Sequence, residues 1–151
     1  MEGIEIRVID REAMIHLVQG LENFEKDKAL QSGLRAGATV FQRGGMRRLK
    51  QRMKNPKGVK GNLLRSFTVR VKRSKLGALS GFKYGDNGGG HSWLLDMGTD
   101  KRSHKKTGKS TGVGPALRYW TDTREQDYPT AINKIYDGIE RAVNRITGRR
   151  Q

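Results

Sequence analysis

Residues 26–54 read KDKALQSGLRAGATVFQRGGMRRLKQRMK, and their apolar side chains recur at spacings of three, four or eight residues. Those side chains are Leu30, Leu34, Ala38, Phe41, Leu49 and Met53. This spacing predicts a long helix with one apolar face, about 40 Å in length if straight. The pair Gly44–Gly45 predicts a bend or interruption, because two glycines weaken a helix. The small residues around Gly33 and Gly37 predict close packing on a sheet or a second copy of the chain.

Strands are predicted on both sides of this helix. Residues 1–24 are expected to form a strand, in which Ile4 and Ile6 alternate with polar residues, and then a helix capped by Asp10 that ends near Asn23. After the turn at Asn55–Pro56, residues 63–97 are expected to supply antiparallel strands at about 63–71, 78–84 and 92–97. In the last strand, Trp93 and Leu95 are expected to be buried.

The remainder of the chain is predicted to be a basic loop and a final helix. Residues 98–114 have no apolar side chain except Val113 and are expected to be a flexible loop. Residues 129–147 show helical apolar spacing and begin at Pro129, which suits a first helical turn. The fold class we predict is α+β, a single domain over residues 1–151. In it, a small antiparallel sheet is packed by the long central helix and the C-terminal amphipathic helix.

The positive charge of the chain is concentrated in its centre. Between Asp27 and Asp86, 58 residues carry 16 Lys and Arg and no acidic side chain. The net charge of the whole chain is also +16, so the remainder of the chain is neutral. Such a concentrated field attracts a polyanion or an acidic protein surface. The residues expected to face DNA or an acidic partner are Arg43, Arg47, Arg48, Lys50, Arg52, Lys54, Lys57, Lys60, Arg70, Lys72 and Arg73. The loop residues expected to make further contacts are Lys101, Arg102, Lys105, Lys106 and Lys109.

On the long helix these cations are expected to form a broad collar around the apolar face, because helical geometry spreads them over several sides. Point charges match a repeating phosphate backbone and carry no information about bases. Aromatic side chains are scarce in this region, which argues against single-strand recognition by stacking.

Several functional classes find no support in the sequence. There is no cysteine, and no apolar run approaches the ~20 residues that a membrane helix needs. The start of the chain lacks the pattern of a signal peptide, so we expect a soluble protein made in the cytoplasm. His16, His91 and His104 have no partners at metal-ligand spacing, and no pair of carboxylates stands out. We therefore expect neither an enzyme nor a bound metal or cofactor.

Three short motifs occur in a familiar order. They are Gly61–Phe67 (GNLLRSF), Trp93–Thr99 (WLLDMGT) and Gly114–Arg118 (GPALR). Together, over about residues 26–146, they resemble the tail-completion or neck proteins of long-tailed bacteriophages. Lys60 and Asp96 stand where that family usually has Thr and commonly has Glu.

The resemblance implies a non-enzymatic virion protein of the head–tail junction, made in the host cytoplasm. Such a protein would form a sixfold or twelvefold ring that joins the portal and head-closure proteins to the tail tube or its terminator. Packaged double-stranded DNA would be a further partner. Two alternatives stay open: a tail-terminator ring that caps the tail tube, and a nucleic-acid-binding protein without sequence preference.

Overall fold

The computed structural model describes residues 3–7, 11–53, 62–72, 77–84 and 89–149. Its helices are α1 Arg11–Leu17, α2 Asn23–Arg52, α3 Asn62–Ser66, α4 Ser92–Met97, α5 Tyr119–Gln126 and α6 Tyr128–Gly148. Its strands are β1 Ile4–Arg7, β2 Phe67–Lys72, β3 Gly77–Phe82, β4 Arg102–Ser103 and β5 Ser110–Gly112. A 3-10 turn at Gly89–His91 precedes α4. No helix in these ranges is both long and apolar enough to cross a membrane.

The main sheet is small and antiparallel, with strand order β1-β3-β2. Ile4 of β1 lies opposite Ser80 of β3, and Phe67 of β2 lies opposite Phe82 at the end of β3. The predicted α+β fold, a small antiparallel sheet packed by a long central helix and a C-terminal helix, is confirmed.

The long helix α2 forms the middle layer of the molecule. On one side, its Leu34 and Ala38 pack with Ala78 and the half-buried Val69 and Val71 of the sheet. On another side, a second cluster joins α2 to α1 and α6 through Met14, Val18, Leu21, Ala29, Leu30, Ile135, Ile139 and Ala142. Burial on more than one side explains why α2 needs both apolar and small residues.

The small residues of α2 allow α6 to approach closely. A Cβ atom added to Gly33 would lie 2.4 Å from Cγ1 of Ile139, and one added to Gly37 would lie 2.4 Å from Cγ1 of Ile135. Neither position has room for a side chain. The prediction of close packing is correct, but the partner is α6 of the same chain rather than a sheet or a second copy.

Helix α2 continues through Gly44–Gly45, so the predicted interruption does not occur. A Cβ atom on Gly44 would lie 1.8 Å from Oδ2 of Asp127, and one on Gly45 would lie 2.7 Å from the ring of Trp120. These glycines serve close packing, and the contacts on both sides hold the helix in one piece. The predicted stop at Asn55–Pro56 and the predicted cap at Asp10 lie outside the described residues. Helix α1 ends at Leu17, earlier than expected.

The strand predicted at residues 92–97 is wrong, because this segment forms α4. Ser92 and Asp96 are buried, whereas Trp93 is 44% exposed and Met97 is 72% exposed. The buried pair is four residues apart, as on a helix, but both members are polar. A pattern based on apolar side chains therefore missed the inward face and led to Trp93 and Leu95 being predicted as the buried side chains of a strand.

Two further boundaries differ from the prediction. The strand expected from Leu63 begins at Phe67, because residues 62–66 form α3. The Ser66 hydroxyl donates to the Leu63 carbonyl at 2.6 Å, a three-residue spacing that fits a helical turn. Within residues 98–114, expected to be a loop, β4 and β5 pair as a short hairpin. Helix α6 agrees with its prediction, with Pro129 in its first turn.

Candidate partner-binding surface

Arg48, expected to face a partner, is buried inside the molecule. Its Nη1 atom donates to Oδ2 of Asp127 at 2.7 Å and to the Thr123 hydroxyl at 3.0 Å. Its Nη2 atom donates to Oδ1 of Asp127 at 2.8 Å and to Gln126 at 3.3 Å. The hydrogen bond to Asp127 raises the pKa of Arg48, although burial opposes it. The expected partner-facing position of Arg48 is therefore wrong, and its role is to join α2 to the start of α6.

Arg52 is engaged in a similar way one turn further on. Its Nη1 atom donates to Oδ2 of Asp122 at 2.5 Å and to the Leu117 carbonyl at 2.9 Å. This hydrogen bond to Arg52 lowers the pKa of Asp122, to which the charge of Arg118 also contributes. The predicted collar is thus divided, because two of its arginines hold α5 and α6 against α2.

Three cations of the predicted collar remain on the surface and form what we call the cationic ridge. Arg43, Arg47 and Lys50 are exposed and follow one another at four and three residues, which places them on one face of the helix. Together with Met46 and Gln51 they line a shallow groove. None of the three forms an ion pair with another residue of the described ranges. The ridge is therefore available to an anionic partner.

The other predicted cations are distributed more widely. Arg70 is exposed on β2. Lys72 of β2 forms an ion pair with Glu5 of β1. This hydrogen bond lowers the pKa of Glu5, with a further contribution from Arg7. Lys54, Lys57, Lys60 and Arg73 lie outside the described residues.

Residues 100–113 form a second exposed cationic surface, which we call the basic hairpin. Every residue in this range is exposed. Its base is closed by a bond from the Thr99 amide to the Gly114 carbonyl at 2.9 Å and one from the Gly114 amide to the Thr99 hydroxyl at 2.8 Å. Near the tip, the His104 amide donates to the Lys109 carbonyl at 2.8 Å. The basic hairpin carries Lys101, Arg102, Lys105, Lys106 and Lys109, all five of the cations predicted for the loop.

The base of the basic hairpin is anchored by a buried carboxylate that the sequence did not reveal. Asp96 is 2% exposed. Its Oδ1 accepts the backbone amides of Trp120 at 2.7 Å and Thr121 at 3.0 Å, and its Oδ2 accepts the Thr121 hydroxyl at 2.6 Å. Asp96 therefore satisfies amides in the first turn of α5 that have no helical partner. Hydrophobic periodicity could not have predicted the contact between Asp96 and Trp120, because the two residues are 24 positions apart in the sequence.

An aromatic cluster packs beside this anchor. Phe67, Phe82 and Trp120 have ring centroids between 4.7 and 5.9 Å apart. The buried Tyr119 hydroxyl donates to the Ser92 carbonyl at 3.0 Å. Burial, with the nearby charge of Asp96, raises the pKa of Tyr119. The segments around Phe67, Asp96 and Tyr119 thus meet in one part of the core.

The described residues offer little for metal binding. Among them, no group of three or more His, Cys, Asp or Glu side chains is placed to hold a metal ion. His16, His91 and His104 lie in α1, in the 3-10 turn and in the basic hairpin, respectively.

Comparison with known proteins adds no assignment to this geometry. Searches against models of protein families, against curated proteins and against solved structures found no match.

Proposed function

We propose that this protein is a non-enzymatic virion protein of the head–tail junction of a long-tailed bacteriophage, a neck or tail-completion protein. It would assemble as a sixfold or twelvefold ring. Its partners would be the portal and head-closure proteins on one side and the tail tube or its terminator on the other.

The observation that carries this proposal is the meeting of the three phage-like motifs around one structural unit. Ser66 and Phe67 of the first motif lead from α3 into the aromatic cluster. Asp96 of the second motif caps α5, directly after the third motif. The Arg118 amide donates to the Asp96 carbonyl at 2.9 Å, and the Leu117 amide to the Leu95 carbonyl at 2.9 Å. Motif residues that contact one another in the fold support the resemblance more strongly than motif residues scattered over the surface would.

Two residues of these motifs have backbone conformations that few side chains tolerate. Gly98 has φ of 78°, and a Cβ atom there would lie 2.8 Å from the Ala116 nitrogen. Arg118 has φ of 51°, which is uncommon for a residue other than glycine. The close approach of Gly98 to the backbone of Gly114 and Ala116 thus gives the second and third motifs a physical reason to appear together.

Exposed apolar side chains on α4 support a role in assembly. Trp93 and Met97 are four residues apart and point to the same side of this short helix. A buried interface favours aromatic residues and Met, so this face suits contact with a neighbouring subunit. The cationic ridge offers a separate surface for an acidic partner.

Particle fractionation tests the proposal. In lysates of a phage that encodes this chain, heads made without tails and tails made without heads are purified and probed with an antibody to the protein. Presence on filled heads supports a neck protein, whereas presence only on isolated tails supports the tail-terminator alternative. Absence from heads, tails and complete particles would overturn both assignments.

A further inference from the structure

We propose that the basic hairpin, residues 100–113, binds the backbone of double-stranded DNA as a ribbon without sequence preference. This inference deepens the proposed function, on which it rests only for the source of the DNA. The physical interaction can be tested on the isolated protein.

The charge of the basic hairpin is strongly one-signed. From Lys101 to Thr121 the chain contains no acidic residue, and its five hairpin Lys and Arg side chains are all exposed. These cations repel one another, and Asp100, at the start of the hairpin, is the only acidic side chain within it that could offset the repulsion. Phosphates would neutralise this charge and release counterions into solution, which is the main source of non-specific affinity for DNA.

The shape of the basic hairpin also suits a duplex. It is a two-stranded ribbon closed by hydrogen bonds at its base and near its tip. Its one large apolar side chain, Val113, is 62% exposed, so the ribbon contributes no side chain to the buried core. The major groove of B-DNA, about 12 Å wide, admits a two-stranded ribbon.

The uncharged side chains of the basic hairpin fit phosphates better than bases. Ser103, Thr107, Ser110 and Thr111 are exposed hydroxyl donors, which commonly bind phosphate oxygens. Residues 101–113 contain no Asn, Gln, Asp or Glu, and Arg102 is their one arginine. The ribbon therefore lacks the amide side chains that read adenine in pairs of hydrogen bonds and the carboxylates that accept from cytosine.

An acidic protein surface is the less suitable partner. Stable protein interfaces depend on a few buried anchors, most often Trp, Tyr or Arg. Residues 101–113 contain no Trp, Tyr or Phe, and Arg102, which is exposed on the surface, is their one arginine. A repeating backbone of phosphates needs no such anchor.

Salt dependence of DNA binding tests the proposal. Fluorescence anisotropy of a short labelled duplex is measured over a range of salt concentrations for the parent and two variants. The hairpin variant carries K101Q, R102Q, K105Q, K106Q and K109Q. The charge-matched control carries K28Q, R124Q, K134Q, R145Q and R149Q, five positions exposed elsewhere on the molecule.

For the hairpin variant, we expect the negative slope of log affinity against log salt to become shallower. The change should be about 0.9 for each phosphate that the protein no longer neutralises, up to about 4.5. We expect the control to keep the parent's slope. Equal slopes for the two variants would overturn the proposal. So would parent binding to polyglutamate as tight as its binding to the duplex at the same salt.

Cross-linking gives a readout that does not depend on the stability of a multiple variant. Because the chain has no cysteine, S103C in the basic hairpin and T130C in α6 each introduce one unique attachment site for a photoreactive probe. We expect cross-links to duplex DNA from position 103 and far fewer from position 130. Failure at position 103 would reject the ribbon, whereas failure of the particle fractionation would leave this result standing and reject the neck assignment instead.

Discussion

Arg48 of α2 and Asp127, the residue before α6, lie 79 positions apart and share two hydrogen bonds, at 2.7 and 2.8 Å. Their side chains are only 8% and 14% exposed. Gly44 makes the approach possible, since any side chain there would occupy the space of the Asp127 carboxylate. The most positively charged segment of the sequence therefore places one of its cations, Arg48, inside the molecule, where it joins two helices.

Replacing Arg48 by Leu should lower the free energy of unfolding by about 3–5 kcal/mol, because it leaves the Asp127 carboxylate in a largely buried site without its partner. Arg47→Leu, at an exposed neighbouring position, should change it by no more than about 0.5 kcal/mol. Urea unfolding followed by circular dichroism measures both. Adding Asp127→Leu to Arg48→Leu should recover much of the loss, and a double variant no more stable than the single one would contradict this account.

Gly45→Ala should lower the free energy of unfolding by about 1–3 kcal/mol, since the new methyl group would lie 2.7 Å from Trp120. Alanine otherwise favours a helix over glycine by about 1 kcal/mol. Gly148→Ala, at the end of α6 where nothing lies within 4 Å, is the matched control and should be neutral or slightly stabilising. If Gly45→Ala stabilised the protein as much as Gly148→Ala, the close contact with Trp120 would be wrong.

Asp96→Ala should lower the free energy of unfolding by about 1–3 kcal/mol, because it leaves the amides of Trp120 and Thr121 without an acceptor. Asp100→Ala removes an exposed carboxylate from a nearby position and should have little effect. Thermal unfolding compares the two variants. Amide hydrogen exchange at Trp120 and Thr121 should accelerate in Asp96→Ala alone; unchanged protection there would exclude the capping role.

Acid should weaken the contact between Arg52 and Asp122. The hydrogen bond from Arg52 lowers the pKa of Asp122 below its ordinary value of 3.8. A carboxyl whose pKa is lower in the folded state contributes stability that is fully present above the unfolded value and is lost as the pH falls through the folded one. The difference in unfolding free energy between the parent and Arg52→Gln should therefore be constant above about pH 5 and should decrease below pH 3.8.

Urea titrations at a series of pH values measure this difference. Arg124→Gln, which alters an exposed residue on the same helix as Asp122, is the control and should show no comparable step. A constant difference between the parent and Arg52→Gln down to about pH 2 would contradict the assigned partner.

The two tryptophans should respond differently to truncation. Trp120→Ala should cost about 3–5 kcal/mol, because this side chain is 3% exposed within the aromatic cluster. Trp93→Ala should cost much less, since Trp93 is 44% exposed. Urea unfolding separates the two effects. Native mass spectrometry should show weaker self-association for Trp93→Ala, and unimpaired assembly would remove Trp93 from the proposed subunit contact.

Apolar periodicity predicted the parts of the fold that are held by apolar packing. Ile135 and Ile139 recur at helical spacing and are buried in α6. Ile4 and Ile6 alternate in β1. In these segments the local pattern and the final environment agree, which is the condition under which pattern arguments work.

The pattern failed where polar side chains point inward. Arg48, Ser92 and Asp96 are buried, and Arg48 and Asp96 are held by partners distant in the sequence. A run of like charges predicts an exposed surface unless an oppositely charged partner is identified. The partner of Arg48 is Asp127, which follows 79 residues later. The cationic surface could thus be predicted as a region, whereas its division into internal and external cations required the three-dimensional structure.

The packing of α6 on α2 also has a consequence for synthesis. Helix α2 is translated well before α6, so the face that finally holds Ile135 and Ile139 has no native cover for much of elongation. During that interval, Gly33 and Gly37 expose no apolar side chain, which limits the apolar surface that other nascent chains can contact. Docking of α6 is a contact between distant parts of the sequence, and such contacts form slowly. The late arrival of this helix would therefore govern how soon a newly made chain escapes proteolysis and aggregation.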